Sequence, residues 1–355
     1  MNAVGRSTAL AALIALAASA GARAAPWREP AEYGFRPDLN GGVWEKGPNL
    51  PAPRQDAAAA VLGGRIYLVG GFGPHDVQED TTLVLEPVEP ISASPQPLAQ
   101  RVGSWTSVAP IPAAIDHAGA AALEGFVYVV GGRVGRKVSA AMWRYDPADD
   151  TWTPRAAMPI ARYAPIVLAV DEKLYVIGGQ TTRGRDELSI EVYDPAYDSW
   201  TLKHGELTVE REAAAGAALD DEIAIVGGHD HGQNNTDACD LWKPDADRWR
   251  SCTPTRDARS DFGLAQTGGQ LMAIGGFDLK TGRSDQTTEI SEAGAMGWRS
   301  GPWMPFPRHG MSIAVLGTTI WVIGGSAWFG AAPMDSVLRY VSPSVRVKLG
   351  PRVRP

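Results

Sequence analysis

The sequence predicts an all-β chain assembled from six tandem units, each a sheet of four short strands. Three observations predict it. An apolar run of four or five residues ends in a glycine pair six times: Gly70-Gly71, Gly131-Gly132, Gly178-Gly179, Gly227-Gly228, Gly275-Gly276 and Gly324-Gly325. A tryptophan precedes each pair (Trp44, Trp105, Trp152, Trp200, Trp249 and Trp298), at an interval of 26 residues five times and 27 once. The composition, 44% apolar with 40 glycines in 355 residues, suits many strands and turns. Self-similarity at a fixed period outranks the two or three domains that length alone suggests, because one closed array can use the whole chain.

Within a unit the first strand is rich in small residues, as in 57–61, 118–122 and 213–217. Small side chains suit strands crowded around an axis. The second strand is the apolar run, rich in Val, Ile and Tyr and buried on both faces. Its glycine pair permits positive φ or close approach of another backbone. A third strand ends in an aromatic, and a tight turn leads to a fourth that carries the tryptophan. In three units the aromatic stands seven residues before the tryptophan: Tyr145 and Trp152, Tyr193 and Trp200, Trp242 and Trp249. That spacing sets the two rings opposite each other across an antiparallel hairpin.

The apolar run, double glycine and spaced Tyr and Trp resemble the kelch repeat, over roughly Gly42 to Val341. The resemblance implies a six-bladed kelch β-propeller, one four-stranded blade per unit. The last unit lacks a tryptophan after its third strand, whereas Trp44 precedes the first glycine pair. The strand around Trp44 is therefore expected to complete the last blade and close the ring. Gly70 to Gly131 spans 61 residues against 47 to 49 elsewhere, and the surplus, 86–101, is Pro-rich and reads as an exposed insertion.

The ends read differently. Residues 1–24 have the pattern of a secretory signal: Arg6, an apolar stretch from Ala9 to Ala20, then Ala22-Arg23-Ala24. Residues 25–41 form an irregular lead-in, the propeller occupies 42–341, and 342–355 is a basic tail. The expected location is periplasmic or secreted, with no membrane span. The net charge of -7 becomes -9 when Arg6 and Arg23 leave with the first 24 residues, which disfavours nucleic acid as a partner. A monomer is expected.

Cys239 and Cys252 lie three positions outside Trp242 and Trp249, so the hairpin register opposes them. A structural disulfide is the expected state in an oxidising compartment. A reactive thiol or metal ligand is the alternative, but there is no third cysteine for a metal cluster.

Loops and strand ends of a propeller converge on the mouths of its central channel. Sixteen residues before the first glycine stand Arg54, Ile115, Arg162, Arg211, Arg259 and Arg308. Two readings are open. Each arginine ties blades together through its five donors, or the set lines a basin for carboxylates and acidic sugars. The next two positions differ from unit to unit and include Asp116, His117, Tyr163, Glu212, Asp261 and His309. A position equivalent in every blade yet occupied by different residues is either neutral rim or chosen for a ligand. The loops after the glycine pairs should reach the same face and bring Arg133, Gln180, His229, Asp230, His231 and Phe277. His229 and His231 suggest a metal, but a third ligand is not evident, and neither metal nor cofactor is expected.

Two functions follow. One is an exported binding module that presents the mouth to a protein, peptide or glycan. The other is an enzyme similar to the sialic acid mutarotases, exported kelch proteins that open and reclose a sugar ring. That resemblance implies Arg162 or Arg211 on the carboxylate, with Glu212 and His117 or His309 exchanging protons.

Overall fold

The computed structural model describes residues 42–87, 103–182, 187, 189–203, 211–219, 221–230, 234–292, 297–328 and 332–341. The leader, the lead-in, the basic tail, His231 and the insertion from 88 onward lie outside the described residues. Six four-stranded antiparallel sheets follow one another along the chain. Inner strands of consecutive sheets are neighbours, and the first touches the last, so the sheets form a ring.

The first blade comprises Ala58–Leu62, Arg65–Val69, Thr82–Leu85 and Trp105–Val108. The last comprises Ser312–Leu316, Thr319–Ile323, Val337–Val341 and, from the opposite end of the chain, Val43–Lys46. Trp44 pairs with Tyr340 in that closing ladder, and their rings lie 5.3 Å apart. The aromatic hairpins have the register read from spacing: Tyr145 opposes Trp152, Tyr193 opposes Trp200 and Trp242 opposes Trp249. Beyond the last of these pairs Cys239 and Cys252 form a disulfide, with Cα atoms 5.0 Å apart. The fifth blade departs from the pattern, since its outer strand is only Arg299–Ser300 and stops short of Trp298.

The core lies between blades. Ile166, Ile177 and Ile190 of the third pack with Ile223, Ile225 and Trp242 of the fourth. Leu50, Ile66 and Leu85 pack with Trp321 and Val337 across the closure.

Each repeated residue serves a seam. The Trp44, Trp105, Trp152, Trp200 and Trp298 indoles each donate to a carbonyl of the preceding blade, at 2.8 to 2.9 Å. The acceptor in all five, Pro48, Ala109, Ala156, Thr253 and Pro302, lies four residues after the preceding tryptophan, which explains why the spacing repeats. The glycine pairs have positive φ throughout. A Cβ on Gly131 would stand 2.6 Å from the Arg162 carbonyl of the next blade, and one on Gly275 2.7 Å from that of Arg308. No side chain fits there.

Around the axis the alanines and glycines of the inner strands line a channel cavity of about 410 Å³. At its end sits a ring of residues with positive φ: Asp56, His117, Ala164, Ala213, Asp261 and Gly310. Their backbones link blade to blade, His117 N–H to Asp56 O, Ala164 to His117, Asp261 to Ala213, Gly310 to Asp261 and Asp56 to Gly310.

Candidate functional site

The ring forms the neck of the mouth, and one motif builds the mouth in every blade. The residue just before each ring position pairs with the residue just after the glycine pair. The pairs are Gln55 with Phe72, Asp116 with Arg133, Tyr163 with Gln180, Glu212 with His229, Ser260 with Phe277, and His309 with Ser326. A backbone rule identical in every blade thus presents different side chains on one face, as the sequence suggested for these two sets of positions.

The repeated arginines are elsewhere. Arg54, Arg162, Arg211, Arg259 and Arg308 are buried, none more than 5% exposed. Arg162, Arg211, Arg259 and Arg308 donate to the carbonyl of the first glycine of their own blade, sixteen residues on, at 2.7 to 3.4 Å. Arg162 also reaches Glu191 at 2.7 Å, Arg259 reaches Glu289 at 2.6 Å, and Arg211 bonds Asp240. Arg54 uses Thr81 Oγ1 at 2.8 Å and Glu79 at 3.2 Å. Of the two readings the sequence left open, this geometry is the structural one, with a correction: protein acceptors occupy guanidinium groups set back from the mouth, but each ties strands of its own blade and not one blade to the next. Burial lowers the pKa of Arg54, Arg162 and Arg211, which are matched by these partners.

Three clusters occupy the mouth. In the first, buried Asp116 takes a hydrogen bond from His117 Nδ1 at 2.5 Å, two from Arg133 at 3.0 and 2.8 Å, and one from Gln78. Burial works to raise the Asp116 pKa, but His117 and Arg133 outweigh it and hold the carboxyl below the usual range. His117 is pushed up to about 9: burial opposes its charge, and Asp56 and Asp116 overcome that. Its Nε2 lies 3.6 Å from Asp56 Oδ2. Burial and the nearby Asp261 raise Asp56 in turn. Arg133 lies between two rings, 5.9 Å from the centre of Phe72 and 5.0 Å from that of Tyr163, and its side chain is 32% exposed. At neutral pH two cations, Arg133 and His117, therefore flank one carboxylate.

The second cluster adjoins the first through Tyr163, whose hydroxyl lies 3.0 Å from Gln180 Oε1 and 3.3 Å from Glu212 Oε2. Burial, then Glu212, raises the Tyr163 pKa and keeps it a phenol. His229 Nε2 is 3.3 Å from the other Glu212 oxygen. In the third, His309 Nδ1 is 2.7 Å from Ser284 Oγ, and its ring lies 4.8 Å from that of Phe277. Asp56, His117 and Asp261 line a neck cavity of about 170 Å³. Among the described residues no group of three His, Cys, Asp or Glu is placed to hold a metal.

Sequence reasoning missed Phe72, Gln78 and Ser284. Phe72 stands at the same offset after its glycine pair as Arg133 and His229, so the repeat would have found it. Gln78 and Ser284 lie in returns of unequal length, where no repeat offset points to them.

The kelch motif model matches residues 116–159 and 161–202, the second and third units. Kelch-like protein terF of Aspergillus terreus is 28% identical over 330 residues, covering 85% of this chain and 68% of that protein. Kelch-like protein 38 of Mus musculus is 27% identical over 241 residues, covering 68% of this chain; the chain spans 39% of that relative's length. A solved structure titled "Structure of YjhT" superposes with a TM-score of 0.69 at 18% identity, covering 82% of this chain and 96% of that one.

Proposed function

This chain is a kelch-repeat β-propeller, and from that premise we propose that it is a binding module whose channel mouth captures an anionic ligand, foremost an acidic glycan. The arrangement of Arg133 carries the reading. Its guanidinium is stacked between Phe72 and Tyr163, fixed by Asp116, and still a third exposed on the mouth. A cation whose stem and plane are already immobilised loses little entropy on meeting a carboxylate. His117, charged at neutral pH, adds to the field. Gln180, Glu212 and His229 offer donors and acceptors for hydroxyl groups beside it. We read the protein as exported, on the leader pattern of residues 1–24 and the disulfide, and as a monomer. No helix among the described residues is long and apolar enough to cross a membrane.

A second reading rests on Glu212, held between the Tyr163 hydroxyl and His229. A carboxylate beside an imidazole is the equipment ring opening needs. The carboxylate takes the proton of the anomeric hydroxyl, the imidazolium protonates the ring oxygen as the C–O bond breaks, and reversal closes the ring on the other face. This is the mutarotase alternative, with the sugar's carboxylate on Arg133 in place of the buried arginines and His229 as the imidazole in place of His117 or His309.

Calorimetry with uronic acids, sialic acid, neutral sugars and acidic peptides tests the first reading, and NMR of anomeric exchange tests the second. Binding of acidic sugars that Arg133→Ala weakens supports the module. Acceleration of exchange lost in Glu212→Gln with affinity retained makes it an enzyme. No binding by any acidic ligand removes both.

A further inference from the structure

The mouth is not equally open on all sides. Three blades, among the described residues, close the return after the glycine pair with one bridging residue pair: Phe72 with Gln78, His229 with Asn235, and Ser326 with Pro333. Among the described residues, two blades raise a longer ribbon. The second has Arg133 paired with Val138 and Val134 with Lys137. The fifth continues its central hairpin past the glycine pair, with Phe277 paired with Ser284 and Asp278 with Arg283. In the ring order given by the inner strands these two blades are opposite one another. The ribbons stand as facing walls, and the Arg133 cluster and the His309–Ser284 pair lie at their feet.

Both walls carry exposed cations on an acidic chain, although Asp278 stands opposite Arg283 on the second. Arg136 and Lys137 are exposed on one, Lys280 and Arg283 on the other. Beside the second wall Trp328 is 60% exposed, an unusual state for an indole. It is not on a loose loop end: its backbone bridges Arg283, and Ser326 Oγ donates to its carbonyl at 2.8 Å. A flat apolar plate is thus carried on a tied backbone beside cations and hydrogen-bonding groups. That combination fits a sugar ring, which has an apolar C–H face and a hydroxyl edge.

We propose that the ligand is an extended acidic oligosaccharide lying across the mouth from the second blade to the fifth, with one sugar unit stacked on Trp328 in an outer subsite. This rests on the anionic-ligand reading of the mouth. Arg133 anchors one acidic unit, Trp328 holds another, and the wall cations meet the carboxylates between.

Isothermal titration of the full chain with uronate and sialate monomers, their oligomers and polyglutamate tests it. Oligomers should bind at least about tenfold tighter than monomers, the scale of one aromatic anchor. Trp328→Ala should remove that gain and leave monomer affinity unchanged. Lys280→Ala with Arg283→Ala should flatten the salt dependence of oligomer binding. If monomers bind but oligomers gain nothing, or the gain survives Trp328→Ala, the proposal falls and the mouth reading stands. An equal gain with polyglutamate overturns it in favour of a peptide. If no acidic sugar of either length binds, the reading of the mouth falls and takes this proposal with it.

Discussion

The seam and the mouth are separated by one residue in the chain and behave oppositely. Arg162 is fully buried and repeats in kind; Tyr163, its neighbour, is partly exposed and has Glu212, Ser260 and His309 as counterparts. At the seam four blades solve the same problem with the same residues, a guanidinium that satisfies the glycine carbonyl of its own blade; the first blade turns its arginine to Thr81 and Glu79 and the second has Ile115 instead. At the mouth the backbone problem is still the same, but the side chains are not, so the fold does not dictate them. Repetition marks what folding requires, and departure from repetition marks where another demand can act.

The comparison is broken most forcefully at the seam. Arg162→Ala removes bonds to Gly178, Ser189 and Glu191 and leaves Glu191 buried without its cation. A loss of about 3–5 kcal/mol is expected, read by urea denaturation. Cys239→Ser with Cys252→Ser opens a link across 13 residues and should cost about 3 kcal/mol. The oxidised and reduced wild type should differ by a similar amount in the same assay.

At the mouth the effects on stability shrink while those on ligand grow. Arg133→Ala gives up charged hydrogen bonds to Asp116, which keeps His117 and Gln78, so about 1–2 kcal/mol is expected together with loss of acidic-ligand affinity. His117 has a folded pKa above its ordinary value of 6.5, so its charged form stabilises the fold. That contribution is complete below the ordinary value and fades as pH rises through about 9. An NMR titration of the imidazole checks the midpoint, and denaturation at stepped pH checks the loss. Tyr163→Phe should change stability by less than about 1 kcal/mol and shift affinity or turnover, separating the phenol's role from its packing.

The fold was legible because six copies average out the ambiguity of any one. The register of Tyr193 on Trp200, the closure of Trp44 on Tyr340 and the disulfide all follow from counting along the chain. The mouth was legible in position, since Asp116, Tyr163, Glu212 and His309 stand at one offset from the glycine pairs. Roles were less so. Spacing alone left Arg162 open to two roles, a tie to protein acceptors or the lining of a basin, and only its burial against Gly178 and Glu191 decides between them. Partners such as Gln78 and Ser284 come from returns of differing length, where distance along the chain carries no information about distance in space.

Chemical-shift mapping of the isotope-labelled protein during titration with an acidic sugar tests the central claim most directly. The account predicts perturbed amides at Phe72, Arg133, Tyr163, Gln180, Glu212 and His229, with the seam residues Gly178 and Gly275 unmoved. Perturbations confined to the opposite face, at turns such as Gly63-Gly64 and Tyr197, would contradict it.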